Sequence, residues 1–288
     1  MSTNTTSTYS PTFALGGDLT VNRLGYGAMR ITGQGIWGPP ADHNESIRVL
    51  QRAVELGVNF IDTADSYGPN VSEELIAEAL HPYKNDLVIG TKGGLLRTGP
   101  NEWPIDASPK HLEAALHGSL QRLKLDRIDL YQLHRIDPNV PFEQTLEFLQ
   151  KAREEGLIKH IGLSEVTVEQ IKKAQEYVPV VSVQNMYSVD NRKWEAELTY
   201  TREQGMAFIP WYPLAGGNQD ALTALNQMAQ RHQATPQQIA LSWLLHHSPN
   251  ILLIPGTSKV KHLEENMKTA NLRLTPEDLA TLDSISPG

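Results

Sequence analysis

Four polar side chains end or follow short apolar runs in the first half of this 288-residue chain. Asp62 closes Asn59-Phe60-Ile61, Lys92 closes Val88-Ile89-Gly90-Thr91, and His134 closes Leu130-Tyr131-Gln132-Leu133. Tyr67 lies just beyond Asp62, in the segment Thr63-Ala64-Asp65-Ser66-Tyr67-Gly68. A buried lysine beside a carboxylate stays charged, and a charged ammonium beside a phenol favours the phenolate. Tyrosine ordinarily ionises near pH ~10, so a proton donor working at neutral pH needs that value lowered. A drop of two or three pKa units corresponds to about 3–4 kcal/mol, which a desolvated Lys–Tyr pair can supply. The chemistry this predicts is proton donation by Tyr67 to a carbonyl oxygen. Lys92 tunes the phenol, Asp62 holds Lys92, and His134 orients the carbonyl by hydrogen bonding. Each residue also has a plainer reading: a structural ion pair, a satisfied core histidine, a packing tyrosine. The catalytic reading rests on all four falling at the same end of neighbouring strands.

The elements that would place them there are legible as an alternation. Phe13-Ala14-Leu15 and Leu19-Thr20-Val21 flank Gly16-Gly17-Asp18 and read as a hairpin. Eight strand-like runs follow: Leu24–Met29, Val58–Asp62, Leu87–Lys92, Ile128–Leu133, His160–Ser164, Val180–Gln184, Ala207–Trp211 and Ile251–Ile254. Amphipathic stretches separate them, with extra helical stretches late in the chain at Asp220–Arg231 and Pro276–Ile285. Strands alternating with helices imply parallel pairing, and eight such units favour an α/β fold closed into a (β/α)8 TIM barrel. Ser108-Pro109, Thr235-Pro236 and Thr275-Pro276 mark helix starts; Gly57, Gly156 and Gly205 mark helix ends. No break in composition suggests a second domain, so residues 1–288 read as one barrel with 1–12 a frayed tail. In such a barrel the loops at the carboxyl ends of the strands converge, which is where the four side chains lie.

Composition narrows the field. Hydrophobic residues make up 40% of the chain, too many for wholesale disorder, and no run approaches the ~20 apolar residues of a membrane span. There is no cysteine, hence no disulfide, thiolate nucleophile or cysteine zinc site. No H-E-x-x-H or comparable ligand spacing occurs, so no metal is expected. The net charge of −8 disfavours nucleic acid and anionic membranes as partners. Met1–Thr12 has neither a basic start nor an apolar core, so the expected compartment is the cytoplasm. Gly33-Gln34-Gly35-Ile36-Trp37-Gly38 matches a dinucleotide-binding pattern by letter. That pattern requires the last glycine to open a helix, whereas Pro39-Pro40 follows here; the segment reads as a loop.

The sequence resembles the aldo-keto reductase family from about Phe13 to Ile285. The motifs that carry the likeness are Gly57–Ala64 with Tyr67-Gly68 and Ser72-Glu73-Glu74-Leu75, Gly90-Thr91-Lys92, and Asp129–His134. Further on stand Ile161-Gly162-Leu163-Ser164, Val183-Gln184-Asn185, Trp211-Tyr212-Pro213-Leu214, and Ile254–Lys259 with Glu264-Glu265-Asn266. The resemblance implies a barrel floored by the N-terminal hairpin that reduces carbonyls with NADPH and no metal, using Asp62, Tyr67, Lys92 and His134. It implies Ser164 and Gln184 on the nicotinamide carboxamide, Trp211 stacked on the nicotinamide ring, and Leu214 along the pyrophosphate. Gly256 and Lys259 would meet the adenosine 2′-phosphate, with Glu265 and Asn266 on the adenine. Two residues depart from the family pattern. Glu165 stands where most relatives have Asn; Gly256 and His262 stand where better-known members carry Lys and Arg, leaving Lys259 as the substitute charge.

Substrate choice is expected in the loops Gly93–Ala107, with Arg97 and Trp103, and Tyr212–Gln219, while Trp37 and Trp103 flank the pocket. Only Ser286-Pro287-Gly288 follow the last helix, so the pocket should be open and suit aldehydes and small carbonyls, including sugar, pyridoxal-like or dicarbonyl compounds. The expected state is a monomer or weak homo-oligomer. Two other classes compete: a Schiff-base lyase on Lys92, and a non-catalytic NADPH-binding relative.

Overall fold

The computed structural model describes residues 9–212 and 218–285. A two-stranded antiparallel hairpin comes first, β1 (Thr12–Leu15) with β2 (Leu19–Asn22). Gly16 and Gly17 supply the positive φ, 63° and 84°, that its turn demands. Seven parallel strands then follow in chain order, each bonded to the next: β3 (Tyr26–Gly27), β4 (Phe60–Asp62), β5 (Val88–Gly93), β6 (Ile128–Leu133), β7 (Ile158–Ser164), β8 (Val180–Gln184) and β9 (Ala207–Phe208). An eighth stave closes the ring. Ile251 bridges in parallel to Phe208, and Leu253 to Leu24. Leu253 N donates to Arg23 O and Gly25 N to Leu253 O, both at 2.8 Å. The result is the α/β barrel that the alternation predicts.

Four staves are shorter than expected; Val58–Asp62 is a strand only from Phe60 onward. Leu24–Met29 is extended only to Gly27, because Ala28–Ile31 tightens into a 3-10 turn whose Ala28 carbonyl accepts from Ser72 Oγ at 2.8 Å. Ala207–Trp211 and Ile251–Ile254 run into Pro210 and Pro255, which have no amide to donate to a ladder.

Helices wrap the outside: α1 (His43–Glu55), α2 (Val71–Leu80), α3 (Pro109–Leu123), α4 (Phe142–Glu154), α5 (Val168–Gln175), α6 (Glu195–Glu203), α7 (Gln219–His232), α8 (Pro236–His247), α9 (Val260–Met267) and α10 (Pro276–Asp283). The expected caps are in place. Ser108 Oγ accepts from His111 N at 3.3 Å, and Thr235 and Thr275 form reciprocal capping boxes with Gln238 and Asp278. The loop over Gly33–Gly38 opens no helix; α1 begins only at His43.

Two apolar cores hold these layers. The larger lies between sheet and helices; the smaller fills the ring with Phe60, Val88, Leu130, Ala207, Ile209 and Leu252. Leu15 and Val21 of the hairpin join the inner core and plug the amino-terminal mouth. Of the expected tail, residues 1–8 lie outside the described residues. Tyr9 is docked, its ring 5.7 Å from Arg23 Cζ and edge-on to His246, and Pro11 O accepts from Arg23 N.

Candidate active site

Side chains alternate along a strand, so the residues two positions beyond the inner apolar layer also point into the ring. Asp62 follows Phe60 in this way, Lys92 follows Val88 and Gly90, and Gln132 follows Leu130. A polar layer is thereby stacked on the apolar plug, towards the carboxyl ends of the strands. Its centre is Lys92, which is fully buried. Lys92 Nζ donates to Asp62 Oδ2 at 2.5 Å, to the Thr63 carbonyl at 2.9 Å and to Tyr67 Oη at 3.2 Å. Asp62 Oδ1 in turn accepts from Gln132 Nε2 at 2.9 Å and Gln184 Nε2 at 3.0 Å. Every donor of the ammonium and both oxygens of the carboxylate are thus engaged, which is the condition under which a buried ion pair is tolerated.

The loop after β4 carries Tyr67 onto this layer. Thr63 N donates to Gly90 O and Asp65 N to Lys92 O, tying that loop to β5. His134 N donates to Gly93 O. The His134 ring stands edge-on to Tyr67, with centroids 5.9 Å apart at 80°. The structure therefore brings together all four residues that the sequence singled out.

Charge follows from that geometry. Burial alone would strip Lys92 of its proton, but the neighbouring Asp62 and the phenol reverse this, so its pKa is raised. An ammonium held by three acceptors is a poor amine nucleophile, which counts against the Schiff-base reading. Tyr67 corrects the sequence expectation: its pKa is raised rather than lowered. Burial is the main cause and Asp62 adds to it, so the pull of Lys92 is outweighed. The expectation weighed the pull of the ammonium on the phenol, whereas Tyr67 is buried and loses the solvation that a phenolate needs. His134 is driven well below the usual imidazole range by burial, then by the charges of Lys92 and Arg135, so it is neutral at physiological pH. Ser66 Oγ lies 3.4 Å from its Nδ1. A hydroxyl donating there fixes the tautomer with hydrogen on Nε2.

Asp62, Tyr67 and His134 share a cavity of about 730 Å³ with Ser164, Gln184 and Trp211. A second cavity, about 510 Å³, adjoins it through Met29, Arg30 and Gly256 and is walled by Thr257 and Ser258. Three cofactor candidates lie outside both walls. Lys259 is exposed at the start of α9, Glu265 is half-buried, and Asn266 is buried with Nδ2 unpaired. At the α9 start the Val260 amide already has an anion, Glu45 Oε1 at 3.1 Å. Leu214 lies outside the described residues, as does most of the loop Tyr212–Gln219.

On the substrate side, Arg97 was expected merely to line a loop. Its guanidinium instead donates to five carbonyls, those of Gly35, Ile36, Ser66, Gly99 and Glu102, at 2.6–3.3 Å. It thereby laces together the loops that follow β3, β4 and β5. It also stacks 3.7 Å from the Trp103 ring and 5.6 Å from the Trp37 ring. Trp103 packs edge-on against Tyr67, with centroids 6.3 Å apart.

Sequence reasoning missed Gln132, whose position two residues before His134 was the available signal, and Arg135, which adjoins His134. The structure also gives the departure at Glu165 a role. Glu165, at φ 54°, accepts through Oε1 from Met186 N at 2.7 Å and Trp211 Nε1 at 2.6 Å, fixing the indole that walls the cavity. Among the described residues no group of three or more His, Cys, Asp or Glu is placed to hold a metal, and no helix is long and apolar enough to cross a membrane.

Comparison with known proteins agrees with this architecture. Residues 23–287 match the family model described as the Aldo/keto reductase family. An uncharacterized oxidoreductase of Schizosaccharomyces pombe is 55% identical over 271 residues, covering 93% of this chain and 87% of the relative. The pyridoxine 4-dehydrogenase of Escherichia coli is 45% identical over 283 residues, covering 96% and 99%. Among solved structures, an aldo-keto reductase from Klebsiella pneumoniae in complex with NADPH superposes with a TM-score of 0.82 at 25% identity, covering 98% and 97%.

Proposed function

The chain belongs to the aldo/keto reductase family and is an oxidoreductase, and from that premise we propose that it reduces aldehydes and other small carbonyls with NADPH, Tyr67 serving as general acid. The observation that carries this reading is the 3.2 Å contact of Tyr67 Oη with the buried Lys92 ammonium, on the wall of a cavity shared with His134 and Trp211.

The residues present fit a nicotinamide nucleotide. Trp211 offers a braced aromatic face, Ser164 and Gln184 offer polar groups beside it, and the adjoining cavity at Gly256–Ser258 continues towards α9. Asn266 Nδ2, buried without a partner, is the kind of orphan that an adenine acceptor relieves. When bound, the reduced nicotinamide supplies the hydride.

The chain's own groups do the rest. With its pKa raised, Tyr67 holds its proton at neutral pH, and the general acid must start in that state. The neutral His134 donates from Nε2 and orients the carbonyl oxygen towards Oη. As the phenolic proton moves to that oxygen, negative charge appears 3.2 Å from an ammonium that Asp62 and the Thr63 carbonyl hold in place. Lys92 thus acts on the phenolate formed during the reaction rather than on the resting phenol. Trp103 closes one side of the substrate space, and Arg97 fixes Trp103.

Pyridoxal heads the list of candidate substrates, because a relative 45% identical is named a pyridoxine 4-dehydrogenase. The test is a panel of aldehydes, sugars, dicarbonyls and pyridoxal, followed by nicotinamide absorbance with NADPH and with NADH. Turnover of at least one aldehyde, faster with NADPH, is expected. A panel that consumes neither cofactor would overturn the reading.

A further inference from the structure

The nicotinamide carboxamide carries one acceptor oxygen and two N–H donors. The wall proposed to receive it is rich in acceptors and poor in donors. Gln184 Nε2 is engaged by Asp62 Oδ1 and Gln132 Oε1, both at 3.0 Å, which leaves the side chain only its Oε1 to accept with. Glu165 can only accept, and its Oε1 is taken by Met186 N and Trp211 Nε1. Ser164 has a single hydroxyl proton, and its Oγ already accepts from Arg135 Nη1 at 3.1 Å.

Arg135 is the donor that this wall has to spare. Nη1 is held by the His134 carbonyl at 2.6 Å and by Ser164 Oγ. Nε and Nη2 make no hydrogen bond to the described residues, and the side chain lines the cavity beside Ser164, Gln184 and Trp211. Its guanidinium carbon lies 6.0 Å from the centre of the Trp211 ring. Burial lowers the pKa of the half-buried guanidinium, and the Glu165 carboxylate, fixed by that same indole, partly offsets this as the nearby opposite charge.

We propose that Arg135 is a cofactor-binding residue whose free guanidinium edge donates to the carboxamide oxygen, with Glu165 as its fixed counter-charge. The pair would do with charges what one neutral amide side chain, acceptor and donor together, does alone. Gln184 Oε1 and Ser164 Oγ then receive the carboxamide N–H groups. This assignment rests on the NADPH reading above and deepens it. A charge-assisted hydrogen bond in a partly buried site changes affinity by roughly tenfold or more.

The test replaces the oxygen itself. NADPH and its thionicotinamide analogue, in which sulfur stands for the carboxamide oxygen, are titrated by calorimetry without substrate into the full chain and into Arg135→Met and Arg135→Lys. The wild type should bind NADPH more tightly than the analogue. Arg135→Met should weaken NADPH about tenfold and the analogue less than about twofold, so that the discrimination collapses; Arg135→Lys should keep part of it. An equal loss for both nucleotides in Arg135→Met assigns the residue a structural role and overturns the proposal. So does unchanged NADPH binding accompanied by a higher KM for the carbonyl, which places the guanidinium on the substrate. A wild type that binds neither nucleotide overturns the NADPH reading itself, and this proposal with it.

Discussion

The two ends of the cavity are built on opposite plans. At the catalytic end, β4, β5 and β6 deliver side chains that satisfy one another: Lys92 has three acceptors, and Asp62 uses both oxygens. At the cofactor end, the loop after β6 and helix α9 carry groups that are unpaired or held by stand-ins. Asn266 Nδ2 has no partner, Arg135 leaves an edge of its guanidinium free, and the Val260 amide binds the Glu45 carboxylate. A network that acts on a developing charge must be rigid before the substrate arrives, because reorganisation would add to the barrier. A surface that binds and releases a nucleotide in each cycle gains from groups that ligand atoms can complete.

The saturated end should break hardest. Lys92→Met leaves Asp62 as a buried, unpaired carboxylate and removes the cation facing Oη. Steady-state kinetics should show kcat reduced by about 10³-fold or more, with a stability loss of about 3–5 kcal/mol by denaturant melts. A loss of less than tenfold would mean that the pair is only structural.

One gap in that end offers a second test. Asp65 is buried behind β5 with Oδ1 unpaired. Burial, then repulsion from Glu73, raises its pKa to about 8. Below about pH 4 the carboxyl is protonated in folded and unfolded chains alike, so it costs nothing. Between about pH 4 and pH 8 the unfolded chain ionises while the folded one keeps its proton, and stability falls as pH rises; the loss levels off above that window. Asp65→Asn should therefore raise Tm, with a gain that grows from about pH 5 to about pH 8 and reaches about 1–3 kcal/mol. A gain independent of pH would contradict the buried acid.

The smallest effect belongs to the cofactor end. Glu45 places negative charge at the α9 amide nearest Lys259, where the 2′-phosphate is proposed to lie. Glu45→Gln should tighten NADPH about threefold in equilibrium titration and leave NADH unchanged. An equal change for both would separate Glu45 from the phosphate.

Much of the catalytic end was readable before any coordinates, for a local reason. A strand's period of two puts Asp62, Lys92 and His134 at the ends of apolar runs, and the parallel order of the strands puts those ends on one rim. The barrel itself was legible for the same reason, although Pro210 and Pro255 cut two staves short of the length their apolar character suggested. Electrostatic balance was not legible. The direction of the Tyr67 shift depends first on how deeply the phenol is buried, and spacing along the chain does not encode that depth. Nor was the Glu45 contact with Val260, which joins residues 215 apart in sequence. Arg97 escaped for a related reason, since its partners are backbone carbonyls that carry no side-chain signal.

The central claim is that the Tyr67 hydroxyl delivers the proton, and Tyr67→Phe tests it most directly because the substitution removes that one oxygen and keeps the ring against Trp103 and His134. Single-turnover reduction of an aldehyde by the NADPH-loaded variant should fall by at least about 10³-fold, while NADPH affinity stays within about twofold of the wild type. Turnover at near wild-type rates, with the cofactor equally well bound, would contradict it.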